Sequence, residues 1–193
     1  MNELSTDRLL SAYARGVFPM AMNDEGDLGW FSPDPRAIIP LDDRFHISKS
    51  LSRVLKTKPF DIRIDTAFQR VVQACATVHG STWISGEIQS AYHDLHRDGH
   101  AHSVECWNGN LLVGGLYGVS IGAAFCGESM FHVATDASKI ALVALVERLR
   151  HKGFELLDTQ WATPHLKKFG ATEIPRSAYL RLLARALRRQ PTF

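Results

Sequence analysis

The order of patterns along the chain predicts an α+β fold, a mixed sheet with flanking helices plus a small N-terminal lobe. Three observations carry this. The uncharged stretch 111–127 is punctuated by Gly114, Gly115, Gly118 and Gly122 and preceded by the turn signal Asn108-Gly109, so it reads as paired strands. The run IALVALVERL, 140–149, is apolar nearly all round, as a helix buried between layers must be. The segment 154–161 then reads as a strand, and a capped helix follows it. A meander of antiparallel strands followed by helix, strand and helix is the order of the acetyltransferase-like (GNAT-like) fold.

Each element has a local cause. A helix ending at Gly16 and a Pro-rich passage from Phe31 to Pro40 make the N-terminal lobe, residues 1–45, ahead of a domain of residues 46–193. Asp65 is positioned to cap a helix with Phe68, Val71, Val72 and Cys75 on one face. Ser85 caps another, carrying Ile88, Ala91, Tyr92 and Leu95 and stopped by Gly99. Strands are expected near 102–107, 111–119 and 122–131. Glycines in the middle strand mark a bulge, a close approach to a ligand, or tight packing. The buried helix after Asp136 ends in Arg148, Arg150, His151 and Lys152 before Gly153, cations opposing its dipole. Thr163 caps the next helix with Pro164 at its first position and Gly170 as its stop; a final helix carries Tyr179, Leu180, Leu183 and Leu187.

Composition bounds the function loosely. With 193 residues, 45% of them hydrophobic, the chain can bury one good core. A net charge of +2 is too small to identify a nucleic-acid binder, because phosphate affinity depends on local clusters. Such clusters exist at Lys49, Arg53, Lys56 and Lys58, and at Arg181, Arg185, Arg188 and Arg189, which read equally as solvated faces. Cys75, Cys106 and Cys126 are odd in number with no close pair and no signal peptide, which fits a reducing cytoplasm. The 111–127 stretch falls short of the roughly 20 residues of a spanning helix, so no membrane association is expected. His93, His96, His100 and His102 do not make a metal site, since two of them lie beyond the Gly99 stop and no cysteine pair accompanies them.

Two strings present polar groups from greasy strands. FCGESMFHVATDASK, 125–139, delivers Glu128 to an interior edge and opens into a helix. LLDTQ, 156–160, carries Asp158 and Gln160, which on an extended strand point the same way, roughly 7 Å apart. Taken by themselves, Asp158 is also a strand-end carboxylate capping a turn, and Glu128 a partner for Lys139 or an arginine. Together with SPDPR (32–36), TWI (82–84), AHSVE (101–105) and YARGVFPM (13–20), these strings resemble the bacterial leucyl/phenylalanyl-tRNA–protein transferases over nearly the whole chain.

The resemblance implies the acetyltransferase-like fold and a monomer without cofactor. The implied reaction moves leucine or phenylalanine, often methionine, from aminoacyl-tRNA to a protein whose first residue is Arg or Lys, marking it for degradation. Such an ester is already activated, and an α-amine of pKa about 7.7 to 8.0 is partly neutral near pH 7. The site must hold amine and ester together and accept a proton. By resemblance, Gln160 orients the amine or carbonyl, Asp158 organises the proton path and Glu128 holds the incoming peptide. Trp30 and Trp83 are the stacking candidates for the terminal adenine, with Phe125, Leu142 and Leu149 as walls of an amino-acid slot; all five also read as core. Family members commonly carry a longer leader with a Gly-Gly-Asp turn, so the lobe is expected to be trimmed. Val133 and Thr163 stand where many relatives have arginine and asparagine. An acyl-CoA-dependent acetyltransferase would want a Q/RxxGxG/A loop where the chain reads GESMFHVATDAS, 127–138. A silent tRNA-end or degron-binding module would not need Asp158 and Gln160.

Overall fold

The computed structural model describes residues 4–23, 27–78 and 82–193. Helix α1 (Thr6–Ala14), with Ser5 accepting the Arg8 amide, leads into an antiparallel hairpin of β1 (Phe18–Ala21) and β2 (Leu28–Phe31). The remaining strands are β3 (Arg36–Ile39), β4 (Asp61–Ile64), β5 (Ala101–Asn108), β6 (Leu111–Ile121), β7 (Ala124–His132), β8 (Leu156–Gln160) and β9 (Thr172–Ile174). They form one mixed sheet in the order β4-β5-β6-β7-β8-β3-β9. Every neighbouring pair is antiparallel except β7 and β8, which α5 (Ala137–Lys152) joins as a crossover.

Helices cover both faces, so both sets of alternating side chains are buried. On one face α5 packs its Leu142, Val146 and Leu149 against Val104, Phe125 and Leu157. On the other, α1, α3 (Phe68–Thr77) and α4 (Gly86–Arg97) close over Tyr117, Val119 and Cys126. Adjacent residues of β7, Phe125 and Cys126, thus belong to opposite cores. α6 (Pro164–Lys167) is capped by Thr163 as expected, and α7 (Arg176–Ala186) seats Tyr179 and Leu183 beside Leu156. The middle-strand glycines serve tight packing: a Cβ on Gly114 would overlap Ala137 of α5, and one on Gly118, at the register shift of β6 against β7, would overlap the Cys126 carbonyl. α2 (Lys49–Thr57) holds Lys49, Arg53 and Lys56 exposed, whereas Arg185 and Arg189 are closed onto Glu155 at 2.9 and 2.7 Å. Among the described residues no helix is long and apolar enough to cross a membrane.

One local expectation is corrected. Asp65 does not cap α3, whose N-cap is Ala67; in a left-handed conformation (φ 58°) it accepts the Ser103 amide at 2.8 Å and holds His102 Nδ1 at 2.8 Å. β3 is a strand of the large sheet, and Leu9, Tyr13 and Phe18 share a core with α3 and α4. Short β3 lacks a polar alternation that would announce it, since both its faces are covered.

Candidate active site

β7 and β8 pair only over Ala124–Cys126 against Leu156–Asp158, although β7 continues to His132. Beyond that pairing the strands part, and a cavity of about 440 Å³ opens between them. Its wall is apolar, with Leu116, Met130, Leu142, Leu145, Leu157 and Leu166 contributed by the sheet, α5 and α6. Phe18, Met20, Trp83 and Trp161 also line it.

Glu128 is the one carboxylate among the described lining residues. Its Oε1 accepts the Tyr13 hydroxyl at 2.8 Å and the Gln160 Nε2 at 3.3 Å, and its Oε2 accepts the Tyr92 hydroxyl at 3.2 Å. The two hydroxyls lie 2.5 Å apart. While Glu128 is ionised, two phenolic protons serve these three oxygen-oxygen contacts. Burial pushes the Glu128 carboxyl up to about 7, against the tyrosine bonds, which pull it down; the nearby Asp158 charge adds to the rise. Burial, and then the Glu128 charge, raise Tyr13 and Tyr92, so both remain hydrogen-bond donors.

Asp158 does not line the cavity. Alternation along β8 turns Leu157 and Thr159 toward it and Asp158 away, into a fully buried pair with Arg36. Asp158 Oδ1 accepts Arg36 Nε at 2.8 Å and the Gln160 amide at 3.0 Å; Oδ2 accepts Arg36 Nη2 at 2.5 Å and the Tyr179 hydroxyl at 2.9 Å. Burial works against the charge on Arg36, but these bonds override it and keep the guanidinium protonated. An extended strand would have sent Gln160 the same way as Asp158. Instead Gln160 adopts φ 56°, with the Trp161 amide bonded to Thr159 O at 2.6 Å, and this left-handed turn swings the carboxamide to Glu128. The pair expected side by side is therefore split across the strand: the amide faces the cavity and the acid holds its backbone from behind.

The other expected site residues divide similarly. Trp83 and Leu142 line the cavity. Trp30, paired with Pro19 across the hairpin, has Arg8 over its ring at 5.5 Å and is not part of the lining. Phe125 is buried against Phe193, ring centroids 5.2 Å apart, and Leu149 belongs to the same core. Tyr92 and Tyr179 read from sequence only as residues of helix faces, and Tyr13 and Arg36 only as members of the strings YARGVFPM and SPDPR, with no part in the site. Among the described residues there is no group of three or more metal-ligating side chains; His96 stacks on Phe68 at 4.2 Å.

Comparison with known proteins gives a consistent result. The family model described as leucyl/phenylalanyl-tRNA protein transferase matches residues 38–184, and the model of that family's N-terminal domain matches residues 2–34. A leucyl/phenylalanyl-tRNA–protein transferase of Akkermansia muciniphila is 58% identical, covering 98% of this chain and 100% of the relative. One of Herpetosiphon aurantiacus is 55% identical over 98% of each, and one of Paramagnetospirillum magneticum is 55% identical over 97% of this chain and 91% of its own. Among solved structures, that of L-PGS from Bacillus licheniformis is similar at a TM-score of 0.45 and 12% identity, over 81% of this chain and 66% of that one. The strings that flank the cavity and the full-length identities agree, and the chain belongs to the leucyl/phenylalanyl-tRNA protein transferase family.

Proposed function

We propose that the protein is a cytoplasmic, monomeric aminoacyltransferase of acetyltransferase-like (GNAT-like) architecture. It moves leucine or phenylalanine, and also methionine, from aminoacyl-tRNA to proteins beginning with Arg or Lys, and the new terminus marks them for proteolysis. The observation that carries this reading is the meeting of Glu128 and Gln160, 3.3 Å apart, on the wall of a mainly apolar cavity. The leucine-lined part of that cavity suits an aliphatic or aromatic side chain, and the pair of Glu128 and Gln160 suits an amine.

The aminoacyl side chain enters between Leu142, Leu145 and Leu166, while Phe125 and Leu149 back that slot from the core. A slot of this kind separates apolar side chains poorly, one methylene being worth about 1 to 3 kcal/mol, which fits mixed use of Leu, Phe and Met. Trp83 offers a face for the terminal adenine, a stacking contact worth about 1 to 3 kcal/mol. Trp30 braces the hairpin that carries Met20 to the cavity. Exposed Lys49, Arg53 and Lys56 on α2 offer contacts to tRNA phosphates.

The acceptor α-amine sits against Glu128, with Gln160 Oε1 free to accept one of its hydrogens because Nε2 is engaged by the carboxylate. The amine nitrogen attacks the ester carbonyl carbon, and the carbon-oxygen bond to the ribose breaks as the amide forms. The proton lost by the amine goes to Glu128 and is returned to the departing ribose oxygen. A carboxyl near 7 can do both at neutral pH. Asp158 already accepts four hydrogen bonds, so its part is to hold the Gln160 turn. The test is transfer of radiolabelled leucine from charged tRNA to a peptide beginning with Arg, without added metal or CoA. Product with acetyl-CoA but none with charged tRNA would overturn the proposal.

A further inference from the structure

The cavity holds a single carboxylate among its described lining residues, yet an acceptor beginning with Arg or Lys brings two basic groups, its α-amine and its side chain. Glu128 is committed to the first: both its oxygens are bonded by Tyr13, Tyr92 and Gln160, and the reacting amine must touch it. The basic side chain needs another attraction close by. Trp161 follows Gln160 directly, their Cα atoms about 3.8 Å apart, and it lines the same cavity. It is 45% exposed, the largest side chain among the exposed hydrophobic residues, and nothing in the described chain covers it further.

Its orientation is fixed from below. The ring stands perpendicular to Phe18, centroids 5.4 Å apart; Phe18 in turn carries the Arg36 guanidinium at 4.9 Å, and Asp158 holds that guanidinium. The turn that carries the Gln160 amide to Glu128 is thus the one that leaves the indole at the mouth of the cavity. An indole face attracts a guanidinium or ammonium without stripping it of all its water, which suits a rim position.

We propose that Trp161 is a specificity-determining residue whose indole face receives the cationic side chain of the acceptor's first residue. The inference rests on the transferase reading above. It predicts discrimination by charge in which the acid selects the amine and the aromatic ring selects the side chain.

The experiment compares two peptides of identical sequence, one beginning with Arg and one with citrulline, which keeps the planar shape but is neutral. Leucine transfer is measured for wild type, Trp161→Phe, Trp161→Leu and Trp161→Ala, with melting curves to establish that each variant is folded. The Leu and Ala variants should lower kcat/KM for the Arg peptide about 2- to 30-fold through KM. The citrulline peptide should change little, the preference for Arg should shrink by the same factor, and the Phe variant should keep most of it. The KM for leucyl-tRNA should stay as in wild type. Equal losses for both peptides would reduce Trp161 to a packing residue and overturn the inference. A raised KM for leucyl-tRNA with peptide kinetics unchanged would make it a donor platform and likewise overturn it. Wild-type protein that transfers leucine to neither peptide would instead sink the transferase reading, and the inference with it.

Discussion

Replacing Asp158 by Asn should unfold the protein far more easily than it alters the chemistry of proton transfer. Arg36 and Asp158 are 1% and 0% exposed, and the carboxylate accepts two bonds from the guanidinium, one from Tyr179 and one from the Gln160 amide. The Asn side chain leaves Arg36 a buried, uncompensated charge, a loss of about 3 to 5 kcal/mol for pairs of this kind. For a chain of this size each kcal/mol moves Tm by about 2 to 4 °C, so the melting curve at pH 7 should shift down by about 6 to 20 °C. The double variant Arg36→Met with Asp158→Leu removes both charges and should recover most of that loss, since apolar replacements of buried pairs are about neutral or better. It should nonetheless transfer leucine poorly, because the Gln160 turn has lost its acceptor. At a temperature where Asp158→Asn is folded, the midpoint of its residual rate profile should move to lower pH, because the Asp158 charge that helps to raise the Glu128 carboxyl is gone. A shift in Tm of under about 2 °C for Asp158→Asn, or full activity in the double variant, would refute the reasoning.

Glu128→Gln should lower transfer about 10²- to 10⁴-fold, while wild-type transfer rises as pH passes through about 7 and the carboxyl ionises. Because the folded carboxyl sits above its ordinary 4.5, the folded state binds that proton more tightly; the resulting stability is present below 4.5 and lost as pH rises through about 7. Glu128→Gln should therefore gain on wild type between pH 5 and pH 8, by at most about 3 kcal/mol in urea unfolding. Tyr13→Phe removes a bond that favours the ionised carboxyl, so the midpoint of the rate profile should move to higher pH, read from kcat. Leu142→Phe shortens the slot and should disfavour phenylalanine relative to leucine by tenfold or more, measured as a ratio of transfer rates from the two charged tRNAs.

The meander and its crossover helix could be read locally. Asn108-Gly109 set the first turn, and the apolar run after Asp136 with Gly153 behind it set the helix, so β5, β6, β7 and α5 fall close to their expected bounds. Ser85, Thr163 and Pro164 likewise act within a few residues of themselves. The site was legible only in its contributors to the cavity wall, Glu128, Gln160, Trp83 and Leu142. Its partners come from far along the chain: Tyr13 is 115 residues from Glu128, and Arg36 is 122 from Asp158. No spacing rule spans such separations. Alternation also misdirected one inference, since it assumes an extended strand and Gln160 leaves that conformation at φ 56°. Phe125 and Leu149 share the apolar character of the slot residues, and only the faces they point to tell them apart.

The Arg36 guanidinium touches Gly16 O at 3.0 Å, the Phe18 ring, Asp158 and the Tyr179 ring, partners drawn from the passage between α1 and β1, from β1, from β8 and from α7. A chain growing from the ribosome has made Arg36 long before Asp158 and Tyr179 emerge. Until then its charge has no buried counterpart and the turn at Gln160 has no anchor.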